Sequence, residues 1–349
     1  MSPKRTPSPS RTELEKFTRL YREGSLDLAV EFGKRLVSKY PGDAPLDNML
    51  GVIHAGLGDL ETARQRYESA LRKRPKYAEA NNNLGNLLSR MGQQTEAVKR
   101  FRKALRIYPD YFVAHNNLGS ALHDLGKQEE AIRSYDAALK LKPNYAEAYN
   151  NKGNALVDMG QTEAALTCFS EAIRYDSRLV QAYNNLGNCL RSLGRLDEAI
   201  QCCMAAIQQA PEYARAYQTL GNALNEQGLH AAAVENLRKC IELEPGVAAA
   251  HNDLGNALSD SGSHEDAMQS YETALSIQPG YAEVHCNLGN ALCEVGSYDR
   301  AIESYQEALR LSPGLAEAHN NLSKIRKFSD DDEQLQAMLA QVADPQISD

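Results

Sequence analysis

Apolar residues recur along this chain at steps of three and four, and the stretch from Ala78 to Tyr111 shows the pattern in a single pass. Ala80, Leu84, Leu87 and Met91 lie four, three and four residues apart, which places them on one stripe of a helix. That stripe has to face a core. Gly92 follows and offers the left-handed backbone conformation with which helices commonly end. A second apolar pattern through Ala97, Phe101, Ala104 and Leu105 predicts a second helix, packed antiparallel to the first. Pro109 cannot continue that helix and pushes Tyr108 towards an extended conformation. Each unit is therefore helix, turn, helix, turn.

The unit returns every 34 residues. One glycine ladder runs from Gly51 through Gly85 to Gly289 and a second from Gly24 through Gly92 to Gly296, both without insertion. A proline ladder runs from Pro41 to Pro313, broken only by Ser177. With Ala78 taken as position 1, position 8 is Gly in eight units and position 20 is Ala in nine, from Ala29 to Ala301. Glycine inside a helix costs roughly 0.5–1 kcal/mol against alanine, so close backbone approach has to recover it. Position 24 supplies a large ring to fill the space: Tyr67, Phe101, Tyr135, Phe169, Tyr271 and Tyr305, with Cys203 and Leu237 in two units.

Leu-Gly at positions 7 and 8, Ala at 20, an aromatic ring at 24, Ala at 27 and Pro at 32 together resemble the tetratricopeptide repeat family. The resemblance implies an all-α fold: a right-handed α-solenoid of tandem 34-residue helix-turn-helix repeats whose first helices line a concave groove. Residues 1–11, with three prolines and three serines, are expected to be a disordered lead, and 12–43 a diverged first repeat. Residues 44–315 make eight full repeats, and 316–328 begin an incomplete capping repeat in which Leu322-Ser323 replaces Leu-Gly. Residues 329–349 read as an acidic tail with one short amphipathic helix.

A repeat scaffold by itself fixes no activity, so function has to be sought on the polar stripe of the first helices. Positions 2, 6, 9 and 13 lie opposite the buried stripe and are expected to be exposed. Position 6 is Asn83, Asn117, Asn151, Asn185, Asn287 and Asn321, with Thr219 and Asp253 in two repeats. Position 9 is Asn86, Asn154, Asn188, Asn222, Asn256 and Asn290, with Ser120 in one. Exposed mid-helix asparagine costs up to about 0.7 kcal/mol relative to alanine, so alanine at these sites is expected to strengthen the helices. An amide side chain carries both donor and acceptor, which suits the backbone of an extended peptide. These twelve asparagines are the candidate peptide-binding residues.

The two ladders look like the asparagine ladder of O-linked N-acetylglucosamine transferases, whose repeats are similar to AEAYNNKGNALVDMG at 146–160. By that resemblance the position-6 asparagines would contact substrate backbone. The competing reading is that duplication copied the amides, which then bridge neighbouring helices through water. Position 12 varies through Ser89, His123, Val157, Arg191, Asn225, Ser259 and Cys293, as local selectivity would require. Position 13 is often acidic, as Asp124, Asp158, Glu226, Asp260 and Glu294, and unpaired acids in a groove would favour basic segments. Capture of a terminal carboxylate by a clamp of lysines and arginines is not expected. Position 5 is mostly asparagine, and Arg215 is the sole cation at position 2 of the full repeats.

Other chemistry is sparse. His115, His251, His285 and His319 share position 4 with Tyr149, Tyr183 and Tyr217 and read as packing residues. The seven cysteines are scattered without a CxxC pair, so reduced thiols and a cytoplasmic location are expected, with no metal and no cofactor. Cys286 and Cys293 share a helix face, but neither the ligand spacing of a zinc site nor a fourth ligand accompanies them. No apolar run approaches the roughly 18 residues of a membrane span, and the start has no apolar signal core.

A net charge of −8 argues against nucleic acid as the main partner, but it conceals a gradient. Residues 1–120 carry 21 Lys/Arg against 13 Asp/Glu, and residues 121–349 carry 17 against 33. The basic excess gathers on second helices, in Arg72, Lys73, Arg74 and Lys76 and again from Lys99 to Arg106, where a solvated outer face is expected.

A non-enzymatic protein-interaction scaffold holding extended or disordered protein segments is the expectation. One alternative is the substrate-recognition arm of a glycosyltransferase or sulfotransferase whose catalytic domain lies elsewhere. The segment from His319 to Gln341 has some likeness to the joint after repeat arrays in bacterial repeat-bearing sulfotransferases. A second alternative is a self-assembling scaffold, a homo-oligomer joined through its charged ends.

Overall fold

Pairs of amphipathic helices follow one another through the computed structural model, which describes residues 8–325. The described residues hold nineteen α-helices and no strand. They divide into two units at Leu179 and Val180, each with its own core. The first unit contains α1 (Arg11–Arg22), α2 (Leu26–Lys39), α3 (Ala44–Gly56), α4 (Leu60–Lys73), α5 (Ala78–Arg90), α6 (Gln94–Ile107), α7 (Phe112–Asp124), α8 (Gln128–Leu141), α9 (Ala146–Asp158) and α10 (Thr162–Tyr175). The second contains α11 (Val180–Ser192), α12 (Leu196–Gln209), α13 (Ala214–Glu226), α14 (His230–Leu243), α15 (Ala248–Asp260), α16 (His264–Ile277), α17 (Ala282–Glu294), α18 (Tyr298–Leu311) and α19 (Ala316–Ile325). The pair α1–α2 falls in the stretch expected to be a diverged first repeat, and α19 in the one expected to begin the capping repeat. The first seven residues of the expected lead, and the acidic tail in which a short helix is expected, lie outside the described residues.

The punctuation works as the sequence implies. Every glycine from Gly24 to Gly296 in the second ladder has φ between 70° and 82°, the left-handed conformation that ends each first helix. Asp43 and Asp59 cap the following helices, accepting from the amides of Leu46 and Thr62 at 3.1 Å each.

The first glycine ladder serves packing. A Cβ built on Gly85 would lie 2.5 Å from Cε1 of Phe101, and one on Gly255 2.4 Å from Cε1 of Tyr271. The position-24 ring therefore lies flat against the bare backbone of its own first helix. All nine position-20 alanines are fully buried beside it.

Each second helix also packs against the first helix of the next repeat within its unit, as α4 does against α5 and α14 against α15. First helices touch one another from repeat to repeat: α3 meets α5, α5 meets α7 and α7 meets α9, and in the second unit α11, α13, α15, α17 and α19 follow suit. Successive second helices lie farther apart and meet through long side chains, as Arg102 of α6 does with Glu130 of α8 at 2.9 Å and Arg300 of α18 with Glu272 of α16 at 3.1 Å. The closely stacked first helices thus bring their polar stripes side by side, one row in each unit.

Candidate functional site

The amides of the row are tied to one another across repeats. Asn83 Nδ2 donates to Asn48 Oδ1 at 3.1 Å, Asn117 to Asn82 at 3.0 Å and Asn151 to Asn116 at 3.2 Å. In the second unit Thr219 Oγ1 donates to Asn184 Oδ1 and Asn287 Nδ2 to Asn252 Oδ1, both at 3.0 Å. Position 6 therefore bonds position 5 of the preceding repeat. The acceptors Asn82, Asn116, Asn184 and Asn252 are buried, so each bond satisfies a group that would otherwise be stranded.

This corrects three expectations. Position 6 is half-buried at Asn83, Asn117, Asn151, Asn185, Asn287 and Asn321, and Thr219 is buried, so the stripe is less exposed than its period suggests. The neighbouring helices are joined directly, side chain to side chain. Alanine at position 6 would break a helix-to-helix bond as well as improve local propensity, so it would not strengthen the fold.

Where the pattern departs, it departs in pairs. Asp253 replaces asparagine at position 6 and cannot donate; Gln218 at position 5 of the preceding repeat donates to it at 2.7 Å, and Asn222 Nδ2 adds a second bond at 2.9 Å.

Position 9 is mixed. Asn86 is exposed and Asn154, Asn188, Asn222, Asn256 and Asn290 are half-buried. Asn256 Oδ1 accepts from Tyr271 at 2.9 Å and from Asn287 at 3.1 Å. Asn290 Oδ1 accepts from Tyr305 and from Asn321, each at 2.7 Å, while its Nδ2 donates to Glu317 at 3.0 Å. Asn86 and Asn188 bond no protein side chain or backbone among the described residues.

Four of the five position-13 acids have partners, unlike the expectation from sequence, and Glu294 has none among the described residues. His123 Nε2 reaches Asp158 at 2.6 Å, Arg191 pairs with Glu226, and Asn225 donates to Asp260 at 2.6 Å, so position 12 of one repeat engages position 13 of the next. Asp124 accepts from Gln94 at 2.8 Å. Only Glu226 meets a fixed opposite charge, that of Arg191; Asp124 and Asp260 receive neutral amide donors and keep their negative charge.

The histidines of position 4 hold the linkers. Nε2 of His115, His251, His285 and His319 lies 2.9–3.1 Å from the carbonyl oxygen of Pro109, Pro245, Pro279 and Pro313, and because a carbonyl only accepts, Nε2 carries the proton. Tyr217 makes the same contact to Pro211 at 3.1 Å. In the first full repeat Asp47 occupies this position, fully buried and held by Arg66 at 3.3 Å, Ser69 at 2.9 Å and Lys73. Lys73 is therefore no part of a freely solvated basic face.

The cysteines lack the surroundings of nucleophiles. Burial pushes the thiols of Cys189 and Cys240 up to about 11 and those of Cys203 and Cys286 up to about 12. Among the described residues no group of three His, Cys, Asp or Glu could hold a metal ion, and no helix is long and apolar enough to cross a membrane.

Models of the tetratricopeptide repeat, each shorter than the array, match residues 43–110, 101–133, 150–214 and 214–246, and a model described as a TPR repeat matches 119–160, 255–296 and 289–326. The chain is a tetratricopeptide-repeat protein. No curated protein sequence matches it. Among solved structures it is similar to the APC/C hetero-tetramer Cut9–Hcn1, with a TM-score of 0.63 and 16% identity over 87% of this chain and 60% of that one. The chain thus spans less than two thirds of that relative. It is also similar to PilF of Pseudomonas aeruginosa, with a TM-score of 0.54 and 22% identity over 61% of this chain and 97% of that one. Both likenesses are of fold. Tetratricopeptide repeats are generally interaction modules, so the chain is a protein-interaction scaffold.

Sequence reasoning found the two amide ladders but missed their partners, the position-5 amides and the hydroxyls of position 24. The paired departure of Gln218 and Asp253 was the available signal, since a carboxylate at position 6 demands a donor where asparagine elsewhere accepts.

Proposed function

We propose that the protein is a non-enzymatic scaffold that holds extended peptide segments along the rows of first helices. The observation that carries this reading is the hydrogen-bonding capacity left over after the repeats are stitched together. Asn83, Asn117 and Asn151 each use one amide proton on a neighbour, and their Oδ1 atoms accept from no donor among the described residues. Asn86 and Asn188 use nothing. An amide presents two donors and two acceptor lone pairs without charge, the complement of a peptide's own N–H and C=O. A partner recognised this way has to be extended, because helices and sheets satisfy those groups internally.

The test is selection from a random-peptide display library against the folded chain, followed by affinity measurement on synthetic peptides. The reading predicts enriched peptides whose affinity falls when backbone amides are N-methylated, since that removes donors without changing side chains. Failure to enrich any peptide, or affinity indifferent to N-methylation, would remove the proposal.

A further inference from the structure

Position 24 of each repeat lies beside position 9 of the same repeat, and whether it carries a hydroxyl differs along the chain. Tyr271 and Tyr305 donate to Asn256 and Asn290 at 2.9 and 2.7 Å, and Tyr135 reaches the hydroxyl of Ser120 at 3.4 Å. Phe101 stands opposite Asn86, Cys203 opposite Asn188 and Leu237 opposite Asn222, and none of these can donate an O–H. The rings share one seat: a Cβ on the facing glycine would meet Cε1 at 2.5 Å for Phe101 and Tyr135 and at 2.6 Å for Tyr305. A hydroxyl added to Phe101 would therefore project to the place from which Tyr305 reaches its asparagine.

The consequence follows repeat by repeat. The oxygens of Asn256 and Asn290 each receive two protein donors, which fills both lone pairs. The oxygens of Asn86, Asn188 and Asn222 receive none among the described residues, although Asn222 donates to Asp253. We propose that position 9 grips a bound peptide where position 24 lacks a hydroxyl and no other protein group engages it: Asn86 in the first unit, and Asn188 with the oxygen of Asn222 in the second, hold its backbone, while Asn154, which faces Phe169 but has another partner, and the doubly bonded oxygens of Asn256 and Asn290 do not. This assignment rests on the peptide-binding reading above and, among the six position-9 asparagines, narrows it to three.

Peptides enriched from the library are measured by fluorescence anisotropy against Asn86→Ala, Asn188→Ala, Asn256→Ala and Asn290→Ala, with each fold checked by thermal melting. A peptide seated in the first unit is expected to lose about 5-fold in affinity with Asn86→Ala, and one seated in the second unit as much with Asn188→Ala, the worth of roughly one hydrogen bond. Phe101→Tyr, which leaves Asn86 in place but engages one lone pair of its oxygen, is expected to lower affinity in the same direction as Asn86→Ala and by less. Because Asn256→Ala and Asn290→Ala strand a tyrosine hydroxyl, Tyr271→Phe and Tyr305→Phe serve as the gentler pair, and both are expected to hold or raise affinity. Equal losses from Asn256→Ala or Asn290→Ala in folded protein, or no loss from Asn86→Ala and Asn188→Ala for peptides that do bind, would overturn the assignment. A library that yields no binder would instead overturn the peptide reading itself, and the assignment with it.

Discussion

Adding one methyl group at Gly85 sets two effects of known size against each other. Alanine improves helix propensity at a mid-helix site by about 1 kcal/mol. The new Cβ would lie 2.5, 2.8 and 2.9 Å from three atoms of the Phe101 ring, whereas carbon atoms rest at about 3.5–4.0 Å. The ring, 1% exposed, has to shift by about 1 Å within a packed core, and overpacking of that kind costs about 1–3 kcal/mol. Three simultaneous overlaps place Gly85→Ala near the upper end, for a net loss of about 1–2 kcal/mol. Gly187 is the control. Its Cβ would meet Cys203 Sγ at 2.9 Å and the Ala199 carbonyl only at 3.4 Å, so strain and propensity nearly cancel and Gly187→Ala should stay within about 0.5 kcal/mol of the parent. Hydrogen exchange across α5 and α6, and across α11 and α12 for the control, reads the change locally, as suits an array whose stability is a sum of neighbouring terms. Equal protection in the parent and Gly85→Ala, or equal losses in the two variants, would refute the argument that the aromatic ring is seated on bare glycine backbone.

Four further outcomes are expected. Asn117→Ala should destabilise by about 1–2 kcal/mol because it leaves the buried Asn82 oxygen unpaired, whereas Asn86→Ala should be neutral or slightly stabilising; urea titration of the two variants checks this. Asp47→Ala should cost about 3 kcal/mol by stranding Lys73, Arg66 and Ser69 around an empty buried position, visible as a lower urea midpoint. Burial holds the His54 imidazole below its usual range, with Nε2 buried and unbonded; the unfolded chain therefore takes up the proton first, and stability should fall as pH drops below the unfolded value near 6.5, a slope that His54→Gln should remove. Thiol titration of the native chain should modify half-buried Cys202 and Cys293 first and the five buried cysteines only on unfolding.

Most of the fold was legible because its determinants are local and repeated. Gly92 ends a helix by its own backbone freedom, and the Gly85–Phe101 seat joins residues one helical hairpin apart, so each 34-residue unit carries the whole instruction. The amide network was not legible in the same way. Asn82 and Asn117 lie 35 residues apart and meet only when two repeats stack, while a helical wheel drawn on one helix shows Asn117 on the exposed stripe and gives Asn82 no partner. The position-13 acids failed for the same reason: Asp158 looks unpaired on its own helix and is met by His123 of the preceding repeat. Periodicity reports which face a residue is on; it does not report what the next copy of that face brings to it.

Photo-crosslinking of a bound peptide asks most directly which face takes the partner. A photoreactive residue is placed singly at exposed first-helix sites, Glu79 and Arg215, and at exposed second-helix sites, Arg106 and Gln201, each on the full chain. Peptides that bind should be joined by the probe at Glu79 or Arg215 and left untouched by those at Arg106 and Gln201. Capture only from Arg106 or Gln201 would place the partner on the second helices and contradict the role proposed for the first.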